Sequence, residues 1–196
     1  MSGPDSLYLL GQRLGLAAIS ASAKFTQLTE HLRVNGDTPG AKIEHDARVG
    51  WDKFTALAIA FTARFMVVCG AGSRKKAREL ERKLIGQMKM LQSSSEDFAQ
   101  FKPAIETLAA TAREFSLKMA LLVERAMRTG ADPMSLGRNP EAREPMYWLS
   151  RAAIVFTGQL LLACSPDKEA TRGRVEEMER VLFAHLDNAP WYESNE

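Results

Sequence analysis

Three histidines occur in the chain, and two of them fall close to carboxylates. His31 lies near the end of one apolar-periodic stretch and Glu44-His45-Asp46 opens the next, so a short connection brings His31, Glu44 and His45 together. Imidazole nitrogens and a carboxylate are donors that a zinc-type ion accepts, which makes these three the candidate metal ligands. Their spacing matches no established ligand pattern, however, and a histidine near a helix C-terminus is already favoured by the helix dipole. The expectation is no metal site. His185, near the end of the last helical stretch, has the same explanation.

Nucleophilic chemistry has little to work with. Cys69 and Cys164 sit in apolar runs, where a thiol behaves as a small hydrophobe. Two cysteines are too few for a disulfide framework, and a reducing, cytoplasmic setting is the simplest fit. The sequence holds no Gly-rich phosphate loop, no His-Glu-x-x-His and no Cys-x-x-Cys, and no Ser or Cys has a base at motif spacing. The paired Glu-x-x-His of a di-iron bundle is missing as well. The expectation is therefore a non-enzyme with no cofactor.

Charge offers more. Residues 1–95 hold 14 Lys and Arg against 8 Asp and Glu, a net of +6, whereas residues 96–196 hold 12 against 16, a net of −4. Such asymmetry steers an acidic partner to the first half or favours head-to-tail contact between copies. On the helix that begins "SRKKARELERK", Lys75, Arg78, Arg82 and Lys89 fall on one stripe with Arg74 and Lys76 beside it. Phosphates could bind there. But Glu79 and Glu81 interrupt the stripe, an i,i+4 pair of Glu79 with Lys83 is expected, and no aromatic residue is near to stack on a base, so a solvated face is the primary reading. Arg64, inside an apolar run, is either an Arg with its stem on apolar surface or a group lining a pocket for an anion.

The elements that must position these residues are helices. Ala, Leu, Arg, Glu and Met are common, while Gly and Pro are few and clustered. Stop signals delimit six segments: about Ser6 to Val34, ended by Asn35-Gly36; Glu44 to Cys69; Arg74 to Leu91, with Ser73 as N-cap; a fourth from "SSSED" to Thr129, with Pro103 as a kink or true first turn; Asn139 to Cys164; and Ser165 to Leu186. The second and fifth are apolar all round and belong at the centre. The first carries scattered polar residues and is expected at the periphery.

The six segments fall into two sets of three. "AIAFTARFMVVC" at 58–69 matches "AIVFTGQLLLAC" at 153–164 at an offset of 95. Gly36-x-x-Pro39 matches Gly130-x-x-Pro133 at 94, and "ELERKL" at 79–84 matches "EMERVL" at 177–182 at 98. Collinear matches of this kind predict repeated structural units. The expected fold is all-α: a six-helix bundle of two tandem, sequence-related three-helix units with pseudo-two-fold symmetry, residues 1–93 and 94–187, followed by a tail, 188–196, the two packed as one domain.

Residues 54–69 and 146–164 are apolar enough to raise the question of a membrane, but Arg64 and Gln159 lie inside them, so both are expected to be core helices. The N-terminal apolar stretch, preceded by Asp5 and interrupted by Gln12 and Arg13, reads as a mature helix rather than a signal peptide. The functional expectation is a non-catalytic protein-interaction module of adaptor, chaperone or regulator type, acting through helix faces or as a homo-oligomer such as a homodimer. Trp191-Tyr192 in the tail are candidate aromatic anchors. The alternatives are a nucleic-acid-associated factor using the third helix, and a ligand sensor or enzyme with a pocket between the repeats.

Overall fold

The computed structural model describes residues 4–36, 40–91, 95–131 and 139–188. These form six α-helices: α1 (Pro4–Asn35), α2 (Ala41–Val68), α3 (Arg74–Leu91), α4 (Ser95–Thr129), α5 (Arg143–Ala163) and α6 (Lys168–Asp187). A single 3₁₀ turn, Pro140–Ala142, leads into α5, and no strand occurs among the described residues.

Local chemistry sets the ends. Gly36 and Gly130 close α1 and α4 at φ of 73° and 72°, a left-handed conformation that side chains resist. Ser73 caps α3 by accepting from the Lys76 N–H, Asn139 caps the 3₁₀ turn from its side chain, and Asp167 accepts from the Ala170 N–H to start α6. α2 begins at Ala41, earlier than Glu44, because the turn through Gly40 already supplies an extended N-cap. Pro103 neither stops nor starts α4, which runs from Ser95 through it.

α1, α2, α5 and α4 pack as a ring, each against the next, with α3 laid on α2 and α6 on α5. Phe54, Phe61, Phe65, Phe115 and Phe156 fill the middle, with Phe156 4.9 Å from Phe101 and 6.4 Å from Phe54. The helices at the edge of the molecule are α3 and α6. α1, expected there, is instead one of the four core helices: Leu7, Leu14, Ala17, Ala18 and Ala21 are buried. Its small residues explain the difference. A side chain at Gly15 would enter the van der Waals envelope of the Ala112 carbonyl and the Ser116 side chain, so α1 and α4 cross where only glycine fits.

α2 and α5 meet through polar groups. Thr62 donates its hydroxyl to the Ala153 carbonyl at 2.9 Å, and the Thr157 hydroxyl lies 2.9 Å from Thr62 Oγ1 and 2.8 Å from the same carbonyl. Both threonines are fully buried, and burial without such partners would be costly.

Among the described residues one helix, Pro140–Ala163, is by length and composition apolar enough to cross a membrane, and 56% of its apolar window is buried against the rest of the chain.

Candidate interaction groove

The three candidate metal ligands, His31, Glu44 and His45, are not gathered into a ligand cluster. His31 Nε2 accepts the Gly40 N–H at 3.1 Å, so the lone pair a metal would use holds the α1–α2 connection instead. Glu44 and His45 are exposed on the first turns of α2, and among the described residues no group of three or more His, Cys, Asp or Glu could hold a metal. Cys69 and Cys164 are half-buried at the C-caps of α2 and α5, and burial pushes the Cys69 thiol pKa up, away from reactivity.

Arg74, Lys75, Arg78 and Arg82 are all exposed on α3, turned away from the buried Ala77, Leu84 and Met88. The expected pair of Glu79 with Lys83 does not form, both side chains standing free in solvent. The Lys89 side chain and residues Trp191 and Tyr192 lie outside the described residues. Arg64 is half-buried on α2.

Two concavities converge on the outer side of the α4–α5 pair. One, of about 550 Å³, runs from Pro103 and Gln159 to Thr111 and Trp148; the other, of about 640 Å³, continues from Thr111 and Trp148 to Lys118 and Pro140. Thr111 and Trp148 line both, so the two adjoin there along the groove between α4 and α5. Arg64 lines neither stretch, while Gln159, the residue at the matching place 95 positions on, lines the first.

Trp148 stands 52% exposed in the middle of this groove. It is braced from behind: its ring lies edge-on to Tyr147 at 5.2 Å, and the Tyr147 hydroxyl donates to Asp187 Oδ1 on α6 at 2.9 Å. Arg151, also lining the groove, is held over the Phe183 ring of α6 at 4.5 Å and reaches the Tyr147 hydroxyl at 3.4 Å. The Thr111 hydroxyl is turned back to the Thr107 carbonyl at 2.8 Å, and Ala104, Ala152 and Val155 line the same concavity. Carboxylates stand on the rim. Glu141 is tied to Arg125 at 2.6 Å, whereas Glu114 and Glu144 are exposed and in no ion pair among the described residues.

The site thus sets a half-exposed aromatic among apolar side chains with charges of both signs around it. Sequence reading passed over it because Trp148 looks like one more apolar residue of a core helix. A signal was available in the sequence matches at an offset of 95, where Trp148 falls opposite Lys53, a residue type that favours solvent.

No protein-family model matches the chain, nor does a characterised protein or a solved structure.

Proposed function

We propose that this protein is a non-catalytic interaction module that seats a partner in the α4–α5 groove. The observation that carries the reading is Trp148: a large apolar side chain, half in solvent where two concavities adjoin, its ring edge-on to Tyr147, which is bonded to α6. An isolated exposed apolar residue needs no explanation, but an exposed indole lining two adjoining concavities is a reason to look for a partner.

The module is best read as two tandem three-helix units, residues 1–93 and 94–187, and the buried positions support that. The buried polar residues of the described chain form two pairs at an offset of 95, Thr55 with Ser150 and Thr62 with Thr157. The buried Ala77, Leu84 and Met88 of α3 fall opposite Val175, Leu182 and Leu186 of α6 at 98. On α1 and α4, Leu7, Leu14, Ala18 and Ala21 fall opposite Phe101, Leu108, Ala112 and Phe115 at 94. Packing is consistent with the same exchange, since α1 lies on α2 as α4 lies on α5, and α3 on α2 as α6 on α5.

The test is a photo-cross-linking amino acid placed at position 148 in the native cell, with position 53 as the matched control. Adducts of discrete mass from 148 and none from 53 are expected. Equal labelling at both positions, or none at 148, would sink the reading.

A second reading keeps one observation: Arg74, Lys75, Arg78 and Arg82 form an exposed stripe on α3, the footprint of a polyanion site. Its signature is binding to duplex or single-stranded nucleic acid that falls steeply with salt; binding indifferent to salt removes it.

A further inference from the structure

We infer that the outer face of α3 is a binding surface for double-helical DNA, held through its phosphates by Arg74, Lys75, Arg78 and Arg82; this rests on the second reading above and names the polyanion.

α3 carries seven Lys and Arg against two Glu, a net of +5. At 3.6 residues per turn, Arg74, Lys75, Arg78 and Arg82 fall within about 100° of arc, and Glu79 and Glu81 lie just outside its two edges. Arg74, Arg78 and Arg82 follow one another at i, i+4 and i+8 and so span about 12 Å along the axis. All four cations are exposed, and none is in an ion pair among the described residues.

Their placement works against the stability of the helix itself. The N-terminus is the positive end of the helix dipole, where carboxylates are favourable and cations are not. α2, α5 and α6 follow that rule, with Glu44, Glu144 and Glu169 in their first turns. α3 has no acidic residue in its first turn and opens with Arg74-Lys75-Lys76. An anion arriving from outside meets the cations and the helix N-terminus together, a combination that suits phosphate oxygens.

On the two-unit reading α6 is the counterpart of α3, and it lacks the row. At the offset of 98, Gly173 stands for Lys75 and Glu176 for Arg78, while Arg180, opposite Arg82, is closed onto Glu177 at 2.7 Å. Glu79 and Arg82 have the same spacing on α3 and form no such pair. α6 as a whole holds four Lys and Arg against five Asp and Glu, a net of −1. Cations are therefore neutralised on one edge helix and left available on the other.

The kind of polyanion follows from what the face carries. Among the described residues no exposed large apolar side chain lies on α3, whose Ala77, Leu84 and Met88 are buried. Unpaired bases have no aromatic to stack on there, and nothing on this face would enter the acyl layer of a membrane. A duplex offers instead a rigid line of phosphates, one per about 1.7 Å of axis, without the ordering cost of a flexible acidic peptide. DNA is favoured over RNA because its major groove admits a helix, whereas that of an RNA duplex is deep and narrow.

A fluorescein-labelled DNA duplex of about 20 base pairs and mixed sequence, titrated against the full chain by anisotropy at about 50 and about 200 mM salt, tests this. Four phosphate contacts predict a loss of affinity of roughly a hundredfold between the two salts. Arg78→Gln/Arg82→Gln, with unchanged circular dichroism, reduces that loss to roughly tenfold, and Arg78→Lys/Arg82→Lys restores it. Arg172→Gln/Arg174→Gln on α6 removes the same charge from exposed positions and leaves the salt dependence as it was. An equal effect of the α3 and α6 variants overturns the assignment to α3. A single strand or an RNA duplex of the same length that binds as tightly overturns duplex DNA while leaving the polyanion reading standing. Polyglutamate or phosphatidylserine vesicles that bind as tightly overturn nucleic acid as the partner. Absence of duplex binding at the lower salt defeats the inference, and if single strands fail to bind as well, the second reading falls with it.

Discussion

Replacing Thr62 or Thr157 by Val keeps the side-chain shape and removes one hydroxyl from the buried contact between α2 and α5. The geometry dictates how the costs combine. Thr62 gives its only proton to the Ala153 carbonyl, and Thr157 has two acceptors within reach of its own, Thr62 Oγ1 at 2.9 Å and the same carbonyl at 2.8 Å. In Thr62→Val the Thr157 hydroxyl keeps Ala153, and in Thr157→Val the Thr62 hydroxyl keeps it, so neither variant strands a buried donor. Each single change should then cost about 1 kcal/mol, the net value of a hydrogen bond, rather than the larger penalty of an unsatisfied group. The double variant loses no more partners than the two singles already share, and two methyl groups meet where two hydroxyls did. It should be less destabilised than the sum of the singles by about 1 kcal/mol, because replacing both partners of a buried pair is close to neutral. Urea unfolding followed by far-ultraviolet circular dichroism, with unchanged m-values, measures all four corners of the cycle. Additive costs would refute the shared network, and a single variant losing more than about 3 kcal/mol would show that the seam depends on something other than these bonds.

Gly15→Ala pushes a methyl group into the Ala112 backbone and the Ser116 side chain, so α1 must retreat from α4; a cost of about 1–3 kcal/mol is expected, which at this chain length is a fall in Tm of roughly 2–12 °C. Gly86→Ala, with open space around it on α3, should instead stabilise by up to about 1 kcal/mol, and melting curves of the two variants side by side check the contrast. Burial, with the Glu176 charge second, raises the Glu179 pKa, so the fold favours its protonated form; that contribution is fully present below the ordinary carboxylate range and is lost as pH rises through the raised value. Glu179→Gln should accordingly be more stable than the parent at pH 7, with the gap closing as pH is lowered toward 4.5, and a gap that is independent of pH would refute the assignment. Iodoacetamide at pH 8 should modify Cys69 far more slowly in the folded protein than in urea, since burial holds its thiol protonated.

What was legible in the sequence follows from where the controlling chemistry is local. Gly36, Gly130, Ser73 and Asp167 act on backbone groups a few residues away, so helix ends near them could be read directly. The role of α1 could not, because beside Leu7, Tyr8 and Leu14 its buried face holds Gly11, Gly15, Ala17, Ala18 and Ala21, which carry little hydrophobic signal and matter only once the neighbouring helices lie against them. His31 was read as a candidate ligand since sequence shows proximity to Glu44 and His45 but not the Gly40 amide that takes its nitrogen. Trp148 was missed for the opposite reason: hydropathy records that it is apolar, and only the position of α4, Tyr147 and α6 around it shows that half of it faces solvent.

On the two-unit reading, the differences between the halves separate into two kinds with different physical meaning. Substitutions such as Phe54 against Leu149, or Thr55 against Ser150, change buried residues for others of similar character, and a close-packed interior tolerates them with small adjustments. Ala21 against Phe115 exchanges a small buried residue for a large one, and the added ring is taken up against Tyr8 and Gly11 of α1. Lys53 against Trp148 is of the other kind: it sets an indole, 52% exposed, where the first half has an exposed charged side chain. Packing gives no reason for that exchange, since an indole left half in water forgoes the burial that stabilises an apolar side chain, so it is the difference between the halves that points to a partner.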